Sequence, residues 1–316
     1  MRIRAAGVAV AACLLTAGCA SIPEARTELP DGKVAATSEQ ATRYFERYDE
    51  TNNTANAVRD AATIAAIETG PLLETSLTGY ELAAANGAEP PEPYYHTDLA
   101  AYSPRFAEYP MWFVATSRIN GDRNRVAVLG LTRASASDEW VVEHGGTLGA
   151  VELPEIRLED SATPEVTDEQ AAGVDQVLGE VYAYLASRTE PVDVDVSADG
   201  LATYLDWADT STIQLEEVTD PQISCRTDEQ ADVRVLPTTD GVLGLATGRC
   251  ALRQSLRADV PGEMTLGGEL SALAPEAGRS VEFVSSHPLV VHVPAEGDAV
   301  VYAGGWRWAD VTMSTE

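Results

Sequence analysis

The chain has 316 residues, 45% of them hydrophobic, and a formal charge of −29 from 21 basic and 50 acidic residues. That apolar fraction is ordinary for a globular chain and excludes wholesale disorder. So acidic a surface repels phosphates, which excludes nucleic acid as a partner and keeps the protein from lying on anionic lipid.

Arg2 and Arg4 precede an apolar run from Ala5 to Leu15, and Leu15-Thr16-Ala17-Gly18-Cys19 follows. This is the layout of an export signal. The run is shorter than the ~20 residues that a spanning helix needs. Small residues leading directly into a cysteine resemble a lipobox, which implies cleavage after Gly18 and a lipid on Cys19, with Thr16 standing where that pattern has Leu. Cleavage near Ala17 to Ala20 without lipidation is the alternative. Residues 1–18 are thus expected to be a lipoprotein signal peptide. Residues 19–37, rich in Pro, Glu, Ala and Gly, are expected to be a flexible tether of roughly 20–25 Å span.

From Ser38, a plausible helix cap, Ala41, Tyr44, Phe45 and Tyr48 recur at helical spacing. Asn52-Asn53 is read as a break. A second helix is expected over Thr54 to Glu68 and a third after Gly70-Pro71, ended by Gly87 and the proline-rich Ala88 to Pro93. The period then changes to two. Met111 to Ile119 and Val126 to Thr132 read as strands joined by a turn at Asn120-Gly121-Asp122, with a third strand over Trp140 to His144 closing at Gly145-Gly146. Residues 38–150 form an N-terminal α+β module, and 151–167, rich in Pro, Glu and Asp, are placed as a linker.

Residues 168–316 repeat the order as a C-terminal α+β module. Asp168 to Arg188 carries Val174, Val177, Leu178, Val181, Tyr182 and Leu185 on one helical face, and a short helix follows Asp199. Strands are expected over Thr212 to Leu215, Ile223 to Arg226, Val233 to Leu236, Val242 to Leu256, Val281 to Val293 and Ala299 to Val311. Cys13 leaves with the signal, so Cys225 and Cys250 are the pair left to the folded part. In an exported protein such a pair reads as a disulfide, with two buried thiols as the alternative.

The lipobox, Tyr44 to Tyr48, the Glu68-Thr69-Gly70-Pro71-Leu72 junction and Tyr109-Pro110-Met111-Trp112-Phe113 together resemble an actinobacterial lipoprotein family of unknown function. The helix-then-curved-sheet order of the first half is similar to NTF2-like and cystatin-like folds. That likeness implies helices packed on a curved antiparallel sheet in each module, and a pocket between helices and sheet in the first. Tyr44, Tyr48, Trp112 and His144 are the candidates to line it.

Several sharper patterns carry bland alternatives. Asp193-Val-Asp195-Val-Ser197-Ala-Asp199 offers oxygens at every second residue, as a calcium loop would. It has Ala198 where such a loop needs Gly and Tyr204 where it needs Glu, so a half-exposed strand is the leading reading. His96, His144, His287 and His292 make no HExxH, and a spacing of five in a strand sends His287 and His292 to opposite faces. Trp306 and Trp308 share a strand face, either as a sugar platform or as a packing ladder. GxSxG, SxxK, P-loop and GxGxxG patterns are all missing, and the one lysine, Lys33, lies in the tether. No catalytic residue, metal site or cofactor is assigned.

The leading expectation is a lipid-anchored protein at the outer face of the cell membrane, non-catalytic, binding a small apolar ligand or an envelope protein. A pocket enzyme on the first module and a purely structural envelope component are the alternatives.

Overall fold

A computed structural model describes residues 32–213 and 219–315. The signal peptide, Cys19 and most of the tether lie outside the described residues. So does the end of the strand expected at Thr212 to Leu215, whose beginning belongs instead to a helix.

The protein is α+β, with two curled antiparallel sheets. The first sheet has the order β2-β4-β5-β6, from His96–Tyr102, Met111–Ile119, Asp122–Arg133 and Val141–Leu148. A two-strand ribbon, β1 (Lys33–Val34) with β3 (Arg105–Phe106), flanks it. The second sheet is built on a long hairpin, β10 (Gly241–Leu256) with β11 (Ser280–Pro294). β8 (Thr219–Thr227) and β9 (Arg234–Pro237) pair with β10. β12 (Ala299–Ala303) and β13 (Arg307–Ser314) pair with β11, and β7 (Val194–Asp195) runs parallel to β12. The single strand expected over Ala299 to Val311 is therefore two, divided at Gly304-Gly305.

Among the described residues five α-helices, one of them a single turn, accompany these sheets. α1 (Ser38–Val58) starts from Thr37, not Ser38, in a reciprocal capping box with Gln40. It runs straight through Asn52-Asn53. The expected break fails because both side chains turn inward and bond to distant groups: Asn52 donates to Glu68, and Asn53 pairs with both the N–H and the C=O of Tyr94. The helix ends at Arg59, in the left-handed region at φ 57°. What was expected to be a second long helix is one turn, α2 (Ala61–Ile64), capped by Asp60. Val58, expected on its apolar face, is 72% exposed. α3 spans Gly70–Ala85 with Pro71 in its first turn, and α4 spans Asp168–Ser187 behind a Thr167–Gln170 capping box. α5 spans Asp199–Ile213.

The layers run helix, sheet, sheet, helix. Tyr44, Phe45 and Tyr48 of α1 and Leu72 of α3 pack with Phe113, Ala115, Leu129 and Leu131 on one face of the first sheet. Its other face, through Val114, Val126, Val128 and Leu148, packs on Leu236, Leu243, Leu245 and Val290 of the second sheet. The far face of the second sheet is covered by Val174, Leu178, Val181 and Leu185 of α4 and by Leu201 and Tyr204 of α5. Close approach between the sheets needs Gly130, where a Cβ would stand 2.9 Å from the His144 ring and 3.0 Å from Leu245. The segment 151–167 is packed too: Ile156 is buried and bridges Thr238, and Thr163 N–H donates to Ser103 C=O.

Cys225 and Cys250 are bonded, S–S 2.04 Å, at directly opposed positions of β8 and β10. In the loop-entropy account, closing a loop of this size contributes about 3–4 kcal/mol.

Candidate functional site

A cavity of about 410 Å³ opens in the first half, between α1, α3 and the first sheet. Its size falls in the range of small-molecule sites. Tyr48, Asn52 and Asn56 recur at intervals of four along α1 and so form one line down the helix facing the cavity. Leu72, Ser76, Gly79 and Tyr80 contribute from α3, and His96, Ala127, Leu129 and Gly145 from the sheet. Gly145 keeps this wall thin, since a Cβ there would meet Leu72 at 3.2 Å and press it into the cavity. The proline-rich turn expected after α3 forms a lip through Glu89 and Pro91, tied down by the Arg59 guanidinium, which donates to Ala88 C=O.

Glu68 is the centre of the floor. It follows α2, where Thr69 N–H donates to Val142 C=O and Val142 N–H to Ile67 C=O, so residues 67–69 lie against β6. The residue is 3% exposed. Three neutral donors converge on its carboxyl: Tyr48 Oη at 2.9 Å and Asn52 Nδ2 at 3.2 Å on Oε1, and Ser76 Oγ at 2.6 Å on Oε2. The relay extends outward, because Tyr80 Oη donates to Asn56 Oδ1 at 2.8 Å and Asn56 Nδ2 donates to Asn52 Oδ1 at 2.6 Å. Burial pushes the Glu68 carboxyl above the usual range; the Ser76 and Tyr48 hydrogen bonds and the charge of Arg307 pull it back without cancelling the rise. Burial likewise holds the Tyr48 and Tyr94 phenols well above their ordinary value, so both stay protonated as donors.

Beside this floor, His96 Nδ1 meets Asp49 Oδ1 at 2.5 Å, and His96 N–H donates to the other oxygen at 2.8 Å. The Asp49 carboxylate thus holds both the backbone N–H of His96 and its ring at Nδ1, which leaves Nε2 as the ring nitrogen free of Asp49. His96 lines the cavity.

Of the residues expected to line a pocket, Tyr48 does. Tyr44 lies one turn away, at a separate cleft of about 260 Å³ beside Trp140. Trp112 and His144, expected there too, are instead on the opposite face of the sheet, away from this cavity. Met111–Ile119 is buried at every odd position and at least half-buried at every even one, so both faces are covered and a period of two does not say which face meets the helices. Trp112 packs at the sheet–sheet interface under the Arg234 guanidinium, 5.4 Å from its ring. His144 is turned that way by a bulge between Gly130 and Leu131, which sends both Glu143 and His144 toward the second sheet. There Nε2 lies 2.9 Å from Asp232 C=O, which can only accept, so Nδ1 accepts from Thr247 Oγ1 at 2.9 Å. Burial pulls this imidazole down to about 4, and its 3.8 Å approach to Glu143 is therefore no ion pair.

The remaining candidates are structural. His287 bonds Ser285 and stacks edge-on against Tyr204, while His292 contacts Asp240. Trp306 and Trp308 meet at 90° within a cluster with Trp207 and Phe283, a packing knot and not a flat platform. Glu68 opens the Glu68-Thr69-Gly70-Pro71-Leu72 junction, which marks a helix start and assigns no chemistry, and His96 falls in no motif. The available signal was an acid between Ile67 and the Thr69-Gly70-Pro71 helix start, one residue from a forced turn.

Residues 33–308 match a family described as a domain of unknown function, DUF8094. An uncharacterised lipoprotein of Streptomyces avermitilis is 33% identical over 208 residues, covering 63% of this chain and 59% of that protein. Another, from Streptomyces coelicolor, is 27% identical over 164 residues, covering 51% and 49%. The chain thus spans between about half and three fifths of the length of these curated relatives. No solved structure matches. Among the described residues, no helix is long and apolar enough to cross a membrane.

Proposed function

Since the chain belongs to the DUF8094 family, whose curated relatives are actinobacterial lipoproteins, we propose that it is anchored outside the cytoplasm through a lipid on Cys19 and binds a small polar molecule in its first half. The relatives' names and the small residues running into Cys19 support the anchor. The binding reading is carried by the cavity of about 410 Å³ whose floor is a hydrogen-bonded array centred on a buried carboxyl. An apolar ligand, the expectation from sequence, would leave that array facing hydrocarbon, at a cost of about 1–3 kcal/mol for each group left unpaired. Binding fits better than catalysis because the Glu68 carboxyl is already engaged by three donors that orient it as part of a wall.

Two experiments test this. A fatty-acid probe should label the wild-type protein and not Cys19→Ala; equal labelling would remove the anchor. A library of small polar metabolites, screened by ligand-observed NMR against the full chain, should yield binders that Gly79→Trp abolishes. A Cβ at Gly79 meets nothing within 4 Å, so the indole can enter the cavity without moving backbone. Binders that persist in a folded Gly79→Trp would place binding elsewhere.

A further inference from the structure

The rim of the cavity differs in charge from the rest of the molecule. Three arginines from three elements line it: Arg59 at the end of α1, Arg125 on β5 and Arg307 at the start of β13. Arg59 is occupied by Ala88 C=O. Arg125 and Arg307 are exposed, and among the described residues their side chains make neither a hydrogen bond nor an ion pair. Arg43, Arg188, Arg226, Arg234 and Arg249 each have a carboxylate partner, whereas these two, like the exposed Arg123 and Arg253, do not; what sets the two apart is that they line the cavity, where the Arg307 charge already acts on Glu68. The opposing charges at the cavity are few. Glu89 is on the lip, Glu68 is buried beneath three donors, and Asp49 behind the wall is held by His96.

Resting on the binding reading above, we infer that the ligand is a small oxyanion, its charged group held by Arg125 and Arg307 at the rim and its polar body hydrogen-bonded to the Tyr48–Asn52–Glu68 floor. Guanidinium suits this task, since its fixed fork of donors matches the oxygens of a carboxylate or phosphate. The two arginines come from different sheets, so the rim is assembled only when the two halves pack. The acidity of the chain also disfavours anions over most of its surface, which favours sites where arginines gather.

The test divides the metabolite library into carboxylates, phosphates, neutral compounds and amines of matched size. Each set is measured on the full chain, on Arg125→Gln, on Arg307→Gln, on the double variant and on Gly79→Trp, with the melting temperature of each variant recorded. The expected result is binding concentrated in the anionic sets, weakened about tenfold by each single substitution, as loss of one charge-assisted contact implies, and weakened further by added salt. The carboxylate and phosphate arms then say which oxyanion it is. Neutral or cationic binders blocked by Gly79→Trp but indifferent to the arginine variants would overturn this inference and leave pocket binding standing. No binder in any set, or binders indifferent to Gly79→Trp, would overturn both.

Discussion

Glu68 and Glu143 are both buried carboxyls, held on opposite sides of the first sheet. Burial pushes both upward from the ordinary range. Glu143 faces a cation: Arg234 grips its Oε1 through Nη2 at 2.6 Å and Nε at 2.8 Å, and Trp112 stacks beneath the guanidinium. Everything around it is protein. Glu68 faces hydroxyls and amides, and beyond them a cavity. A charge pair sealed between two sheets fastens them together and has no free valence for another molecule. An array of neutral donors at a cavity wall can lend its remaining lone pairs and protons to a visitor. Burial and perturbed ionisation are common to both places, and the partners tell lock from site.

The largest expected effect falls on the lock. Arg234→Ala leaves Glu143 buried without its cation, and denaturant unfolding should show a loss of about 3–5 kcal/mol. A loss below about 1 kcal/mol would mean that water reaches Glu143 and that the sheets are not sealed. Next comes acid sensitivity from the same interface. His144 titrates near 6.5 when unfolded and near 4 when folded, so its contribution is complete above 6.5 and is lost as pH falls toward 4. At about 1.4 kcal/mol for each pH unit, roughly 3 kcal/mol is at stake. His287, pulled down to about 3, adds a parallel loss, while Glu68 and Glu143, raised in the folded state, oppose it as they take up protons. The measurement is therefore a difference: stability against pH in the wild type and in His144→Gln, with a shallower acid slope in the variant. Identical slopes would show that the ring is not held neutral. The smallest effect belongs to the pocket floor, where Glu68→Gln should change stability at neutral pH by less than about 1 kcal/mol. If it costs as much as Arg234→Ala, the floor is a second lock, and the contrast between the two carboxyls dissolves.

Much of the scaffold was legible because its signals are local. Ala41, Tyr44, Phe45 and Tyr48 announce α1, the six apolar residues of α4 all lie in the core, and the long apolar runs Val242 to Leu256 and Val281 to Val293 are the central hairpin. What failed is what depends on distant partners. Asn52 and Asn53 look like a break because asparagine disfavours helix interiors when its side chain competes for nearby backbone; here both side chains are committed elsewhere. β2 escaped notice because Asp98 takes a left-handed φ of 52° at a bulge between Thr97 and Ala100, which interrupts the period. His144 lies away from the pocket because a bulge in β6 re-aims two consecutive side chains, and a period of two presumes there is none; Trp112 lies away from it because β4 has apolar residues on both faces. The carboxyl at the floor belongs to a junction legible as a helix start, and only α1, α3 and β6 closing around it give it a chemical setting.

One covalent bond has a consequence beyond the free energy of closing a loop. Among the described residues β8 pairs with β10 alone, and so stands at an edge of the second sheet. Edge strands peel and exchange between neighbouring copies most readily when molecules share a plane, as anchored proteins do. Cys225–Cys250 rivets that strand to β10 at the third of their nine paired positions, counted from Thr227. An outward swing of β8 would have to break a covalent link and not a few hydrogen bonds. On the proposed lipid anchor, the bond protects against neighbours: it keeps adjacent copies from knitting together through their sheets.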